Sequence, residues 1–158
     1  MGKTKACKDF ESFLKKIGGL ESGYREIYHG DNPVRKFLFN VFDYFRWKMP
    51  SDKRPRNPFR SKIVDRYFFE VGDGWLPLMQ SLITEAIDKG WNREICQVKQ
   101  KYASLRFYTN GITKEVGDVI SKYEHIAGDT CEVCGEPGKM RPGGWIEVLC
   151  DEHSKQKK

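Results

Sequence analysis

The chain has 158 residues, of which 39% are hydrophobic and 13% aromatic, and its formal net charge is +6 at pH 7. This length and composition predict one globular domain with a modest core and a small additional module. No stretch of about eighteen consecutive apolar residues occurs, which excludes a membrane-spanning helix and gives no reason to expect a membrane partner.

Residues 1–47 predict a helical N-terminal segment. Apolar residues repeat at helical spacing from Phe10 to Ile17, and Gly18 and Gly19 can end that helix in the left-handed conformation. A second helix is expected to begin with Pro33 in its first turn. The residues predicted to face the core from this second helix are Val34, Phe37, Leu38, Val41 and Phe45.

Residues 48–62 predict a basic, proline-rich linker or loop. Between residues 46 and 66, eight cationic side chains stand against two aspartates, so this stretch alone carries a net charge equal to that of the whole chain. Three prolines disfavour a helix there. Guanidinium groups pair well with phosphate, so the candidate anion-binding residues are Arg54, Arg56 and Arg60. The alternative is a solvated loop without any ligand.

Residues 63–128 predict an α+β core. The expected elements are a strand at 63–71, a helix at 75–89, a hairpin of strands at 95–101 and 104–109, and a helix at 112–127. This order predicts an α+β fold with a small antiparallel sheet, between the helical N-terminal segment and a zinc-binding module at 129–158 with a lysine-rich tail.

Two features of this core suggest binding. The turn Gly72, Asp73, Gly74 precedes a helix and could offer backbone donors to phosphate, although we favour Asp73 as a cap for that helix. The hairpin carries cations with interleaved aromatic rings, which is typical of a stacking platform for nucleic acid. Its candidate residues are Lys99, Lys101, Arg106 and Tyr108. The alternative is a face of core aromatics and solvated lysines.

The C-terminal module contains a pattern of metal ligands. Cys131 and Cys134 form one C-x2-C pair, and Cys150 and His153 form a C-x2-H pair sixteen residues after Cys134. Two ligands separated by two residues can face one ion across a tight turn, and three thiolates with one imidazole complete the tetrahedron that structural zinc prefers. The spacing predicts a knuckle, a hairpin and a second knuckle around Zn.

This zinc site is interpreted as structural, because four protein ligands leave no open position for water or substrate. The chain has five cysteines, an odd number, and no signal-peptide pattern at its N-terminus. These features favour a reducing cytoplasm over a disulfide framework, which remains the alternative. Trp75, Trp91 and Trp145 are expected to pack in the core or beside the knuckle.

Three stretches of the sequence resemble a group of small, functionally unassigned bacteriophage proteins. They are G-D-G-W-L-P-L-M at 72–79, Q-V-K-Q-K-Y-A-S-L-R-F-Y at 97–108, and C-E-V-C-G-E-P-G with G-G-W-I-E-V-L-C-D-E-H at 131–153. The hairpin turn in that group is usually glycine-rich, whereas this chain has Ala103 and Ser104. The resemblance implies a phage accessory protein acting in the cytoplasm of an infected bacterial cell, and it implies no reaction.

Three classes of function follow from these features. The leading hypothesis is a non-enzymatic binding protein that engages an anionic ligand during infection, either nucleic acid or a nucleotide such as a host defence signal. The second is an interaction protein that inhibits a host enzyme or defence system, with the zinc module as its recognition surface. The third is a metal-dependent nuclease, which would need a second, open metal site.

Overall fold

A computed structural model describes residues 2–22, 32–50, 53–55, 57–59 and 62–157. The helices in this part of the chain are α1 (Lys5–Lys16), α2 (Pro33–Trp47), α3 (Leu76–Asp88), α4 (Lys114–Ala127) and α5 (Asp151–Gln156). The strands are β1 (Leu20–Ser22), β2 (Lys62–Ile63), β3 (Phe69–Glu70), β4 (Glu94–Lys101), β5 (Ser104–Thr109), β6 (Lys139–Arg141) and β7 (Glu147–Leu149). The predicted α+β class is confirmed. None of the helices in these ranges is long and apolar enough to cross a bilayer.

Helix α1 forms where the apolar spacing predicts it. Thr4 caps its N-terminus by accepting a hydrogen bond from the Cys7 backbone, and Gly18 and Gly19 end it with φ angles of 81° and 75°. Its buried Phe10 packs edge-on against Phe69 with ring centroids 4.8 Å apart. The first helix therefore shares a core with the central sheet.

Strand β4 is the centre of a five-stranded sheet that is mixed, so the prediction that this sheet is antiparallel throughout is wrong. Strand β5 pairs with it in antiparallel orientation, as the predicted hairpin requires, while β1 and β3 pair with it in parallel orientation. The two-residue hairpin turn consists of Tyr102 and Ala103, with φ angles of 51° and 60°. Such turns need positive φ at both positions, which accounts for the glycine preference expected there.

Helices α3 and α4 cover one face of this sheet. Every predicted apolar position of α3 is buried or packs against the core, and Gly90 follows with a φ of 86°. Thr113 caps α4 by accepting a hydrogen bond from the Val116 backbone. Both helices therefore begin and end close to the predicted positions.

The single strand expected at 63–71 is wrong, because the chain forms β2, a 3-10 turn at Arg66–Phe68 and then β3. The Arg66 guanidinium accounts for the break. It donates to the Phe69 carbonyl at 2.7 Å and to the Val71 carbonyl at 2.6 Å. The chain therefore curls around this side chain instead of continuing in a ladder.

Helix α2 begins at Pro33 as predicted, but the orientation predicted for its apolar face is wrong. The five residues expected to face the core are 38% to 65% exposed, whereas Phe39, Asp43 and Arg46 are buried. Arg46 lies between Asp43 on its own helix and Glu94 on β4, at 3.1 Å and 3.2 Å. This ion pair turns the polar side of α2 toward the sheet.

Candidate metal centre and basic sheet face

The four predicted metal ligands lie together in the C-terminal module. The Sγ atoms of Cys131, Cys134 and Cys150 and a ring nitrogen of His153 are all within 4.8 Å of one another. The Sγ–Sγ distance between Cys134 and Cys150 is 3.9 Å, and the His153 Nδ1 atom lies 3.7 Å and 3.2 Å from the sulfurs of Cys131 and Cys150. The cluster can hold a metal ion.

These distances fit a tetrahedron around one ion. With metal–sulfur bonds of about 2.3 Å and metal–nitrogen bonds of about 2.0 Å, a tetrahedral centre separates two sulfurs by about 3.8 Å and a sulfur from a nitrogen by about 3.5 Å. The observed 3.9 Å between the sulfurs of Cys134 and Cys150 is far longer than a disulfide bond, and all five cysteines are free. The chemistry of three sulfurs and one imidazole suits zinc.

The first knuckle is shaped by backbone hydrogen bonds. The Gly135 N–H donates to the Cys131 carbonyl at 2.9 Å, and the Cys131 N–H donates to the Glu136 carbonyl at 2.7 Å. Gly135 has a φ of 80°, a conformation that other residues rarely adopt. The chain turns back tightly enough for Cys131 and Cys134 to face the same point.

The remaining two ligands are delivered by a hairpin and a short helix. Strands β6 and β7 form the predicted hairpin, and Cys150 follows β7 immediately, at the N-cap position of α5. His153 lies in the first turn of that helix. The second pair of ligands, predicted to form a knuckle, is therefore placed by the N-terminus of α5. Arg141 joins the two parts by donating to the Leu149 carbonyl and the Asp151 carboxylate.

The thiols of Cys131 and Cys134 have different pKa values. Burial opposes ionisation of Cys131, but backbone N–H donors from Cys150, Cys134 and Val133 outweigh it and lower the pKa of its thiol to about 6. At Cys134 a backbone donor from Glu136 favours the thiolate, yet burial and the neighbouring sulfurs raise the pKa of the thiol to about 11. Ionisation of Cys131 therefore opposes ionisation of Cys134, and a bound cation would favour the thiolate form of both.

The knuckle packs directly on the turn Gly72, Asp73, Gly74. A Cβ atom added to Gly72 would lie 2.1 Å from the Glu132 carbonyl oxygen, and one added to Gly74 would lie 2.4 Å from the Cys131 carbonyl oxygen. The Gly74 N–H donates to the Glu132 carbonyl at 2.8 Å. These glycines are therefore required for close approach between two backbones.

Buried polar side chains complete this junction. The Trp75 indole donates to the Thr130 carbonyl at 2.7 Å. The Glu132 carboxylate accepts from the Val148 N–H and from Gln100 on β4, and its burial raises the pKa of this carboxyl group. This junction was not predicted from the sequence. The G-D-G-W motif at residues 72–75 was a signal for it, because its two glycines allow the close approach of the backbones.

Asp73 does not cap helix α3, which has no side-chain cap, so that prediction is wrong. Its carboxylate instead accepts a hydrogen bond from the Thr4 hydroxyl at 2.6 Å and pairs with Arg66 at 2.8 Å. Burial acts to raise its pKa, but these two partners outweigh burial and lower the pKa. Asp73 joins the start of α1 to the turn before α3.

The predicted hairpin cations lie on one face of the sheet, here called the basic face and consisting of Lys99, Lys101, Arg106 and Tyr108. Lys99 is the direct cross-strand partner of Arg106, and Gln97 is the partner of Tyr108. Phe107 points to the opposite face and is buried in the core. Because side chains alternate between the two faces along β4 and β5, the cations lie on one face and Phe107 lies in the core on the other.

Neither Lys99 nor Arg106 forms an ion pair with another residue in the described part of the chain. Glu70 of β3 is the cross-strand partner of Lys99 on its other side, whereas Arg106 is its partner on β5. Like charges directly opposite one another destabilise a sheet. An anion bound between Lys99 and Arg106 would relieve this repulsion.

A groove of 340 Å³ lies at the tip of the hairpin. Lys101 lines it together with Tyr102 and Trp145, and these two rings are each 71% exposed. The expectation that Trp145 packs in the core or against the knuckle is therefore wrong, whereas Trp75 and Trp91 are buried as expected. Two accessible aromatic rings therefore lie beside Lys101: Tyr102 in the turn between β4 and β5, and Trp145 in the loop between β6 and β7.

The predicted arginines of the linker are not brought to this face by any described contact. Arg54 donates to the Met49 carbonyl at 3.1 Å, and its guanidinium lies 4.1 Å from the centre of the Trp47 ring. It is thus held against the end of α2. Arg56 and Arg60 lie outside the described residues.

Outside the cysteine and histidine cluster, the described ranges contain no further group of three or more side chains placed to hold a metal ion. Comparison with protein-family models, curated proteins and solved structures finds no match to this chain.

Proposed function

We propose that this protein is a zinc-stabilised binding module whose basic face engages single-stranded nucleic acid. The observation that carries the proposal is the cross-strand pair Lys99 and Arg106, two cations without an ion pair in the described chain, with the exposed ring of Tyr108 on the same face. Phosphate binding would neutralise the cations, and bases can stack on exposed aromatic rings.

Zinc at Cys131, Cys134, Cys150 and His153 has a structural role in this proposal. The module around it has few buried apolar residues of its own, and Gln100 of β4 donates to the Ile146 carbonyl at 2.6 Å. A closed zinc site would hold the knuckle and hairpin in the shape that this contact requires. It would also fix Trp145 beside Lys101 at the hairpin tip.

Nucleic acid is favoured over a small nucleotide because the basic face is an open sheet surface. Side chains two residues apart on one strand are about 7 Å apart, so Arg106 and Tyr108 can contact successive parts of an extended ligand. The groove at the hairpin tip shares Lys101 with this face. The setting in a phage-infected bacterial cytoplasm belongs to the proposal and rests on the sequence resemblance alone.

The test is fluorescence anisotropy of a labelled single-stranded oligonucleotide as a function of salt concentration. Replacing both Lys99 and Arg106 with alanine should weaken binding and reduce the slope of log affinity against log salt by about 1.4, since each phosphate contact contributes about 0.7. The matched control is the double variant Lys8→Ala, Lys15→Ala, which removes the same charge from exposed positions on α1.

Other results would favour one of the three alternative functions. Saturable binding of a free nucleotide without oligonucleotide binding would favour the nucleotide alternative. Capture of one host protein after nuclease treatment, with neither anion bound, would favour the inhibitor, and oligonucleotide cleavage in Mg²⁺ or Mn²⁺ would favour the nuclease. Equal salt slopes for the two double variants would remove the basic face from the binding site.

A further inference from the structure

Helix α2 presents an apolar stripe to solvent. Val34, Phe37 and Phe45 are 65%, 64% and 62% exposed, and they lie on one side of the helix because their spacing follows its turns. The full set of exposed apolar side chains is Val34, Phe37, Leu38, Val41, Tyr44, Phe45, Trp47 and Met49, here called the α2 stripe.

The size of the α2 stripe exceeds what an isolated monomer normally exposes. A buried aromatic side chain covers about 150 to 250 Å², so the exposed halves of four aromatics and the aliphatic residues beside them amount to roughly 600 to 700 Å². The largest apolar patch on a typical monomer is about 300 to 600 Å², and a stable interface takes about 800 Å² from each partner. The stripe is therefore slightly larger than the apolar patch of a typical monomer and approaches the area that one partner contributes to a stable interface.

The stripe is also concave. A groove of 420 Å³ with almost wholly apolar walls lies beside part of it, at Leu38, Val41 and Phe45. Phe59 packs against Phe42 with ring centroids 6.3 Å apart and forms one wall, and Met49 closes one end. A groove of this kind accepts protruding side chains of a partner, whereas a lipid surface needs no such cleft.

The rim of the stripe is cationic. Arg35 lies at the N-terminal end of α2 and donates to the Phe59 carbonyl. Lys48 and Lys53 follow its C-terminal end, and the Lys48 ammonium lies 4.2 Å from the centre of the Tyr44 ring. The only acidic residue of α2, Asp43, is buried beside Arg46. Two copies of this helix packed antiparallel would bring cations together at both ends, so a second copy of the chain is disfavoured.

We propose that the α2 stripe binds an amphipathic helix of a partner protein, with apolar side chains in the groove and acidic residues on its flanks. This surface is separate from the basic face and from the metal ligands. The buried ion pair of Arg46 with Glu94 supports the arrangement, because it anchors the polar side of α2 to the sheet and leaves the apolar side free.

The experiment uses the full chain and a designed helical peptide with leucines along one face and glutamates on both flanks. Phe45→Ser in the protein should weaken peptide binding about tenfold or more, because it removes an exposed aromatic wall of the groove. Ile112→Ser is the control, since Ile112 is a 51% exposed apolar side chain elsewhere. The same peptide with lysine flanks should bind about tenfold more weakly.

Four outcomes would overturn the proposal. These are no binding of the acidic peptide, equal effects of Phe45→Ser and Ile112→Ser, dimerisation of the free protein that Phe45→Ser abolishes, and Phe45-dependent binding to phosphatidylserine vesicles without peptide binding. Folding of each variant is checked by its melting temperature. A variant that unfolds is replaced by Val41→Ser, which alters the same groove.

Discussion

The C-terminal module, residues 129–157, and helix α2 differ in how much apolar surface they bury. The module buries little apolar surface, and its chain makes close backbone contacts with Gly72 and Gly74 and brings together four side chains that could hold a metal ion. Helix α2 has abundant apolar surface and exposes it, while its charged residues Asp43 and Arg46 are buried. One region has a cluster of potential metal ligands and few buried apolar residues, and the other has apolar surface that its own fold does not bury.

The difference shows that the spacing of metal ligands and the spacing of apolar residues predict different aspects of a structure. Ligand spacing specifies which side chains must meet, because one ion demands all of them at bonding distance. Helical periodicity specifies which side chains share a face, but not which surface that face contacts.

The largest effect is expected from removing a metal ligand. Cys150→Ser should abolish zinc binding and unfold the C-terminal module, because the lost binding free energy is on the order of 10 kcal/mol. Elemental analysis and hydrogen exchange of residues 129–157 measure this. Cys96→Ser is the control and should keep one zinc per chain. Full zinc content in Cys150→Ser would refute the four-ligand site.

The next effect tests the buried charge under α2. Arg46→Met should lower the free energy of unfolding by about 3 to 5 kcal/mol, because two buried carboxylates lose their guanidinium partner. Denaturant unfolding measures the change. Lys48→Met removes the same charge from an exposed position and should change stability by less than about 0.5 kcal/mol. Similar losses for both variants would show that the ion pair does not hold α2 to the sheet.

A smaller effect is expected where the module meets the core. Gly74→Ala places a Cβ atom 2.4 Å from the Cys131 carbonyl oxygen, so the knuckle must shift, and we expect a loss of about 2 to 3 kcal/mol in the free energy of unfolding. Thermal melting with zinc present measures it. Gly144→Ala is the matched control, because no atom lies within 4 Å of the added Cβ. A stable Gly74→Ala variant with normal zinc content would mean that the two backbones are not in contact.

Much of the local structure was predictable from the sequence. The C-terminal end of α1 and the limits of α3 and of the β4–β5 hairpin followed from apolar spacing and from glycines such as Gly18 and Gly90. The four metal ligands followed from doublet spacing, since each pair lies within a few residues. The parallel pairing of β1 and β3 with β4 was not predictable, because such pairs join segments far apart in the chain.

The sequence by itself therefore determined the metal ligands, most helices and the hairpin, because each depends on residues that are neighbours in the chain. Only the tertiary structure decided that Gly74 meets the knuckle and that α2 turns its apolar side outward. Both outcomes depend on contacts between distant residues, such as Arg46 with Glu94. A buried charge without a partner costs more than an exposed apolar side chain, so the ion pair set the orientation of the helix.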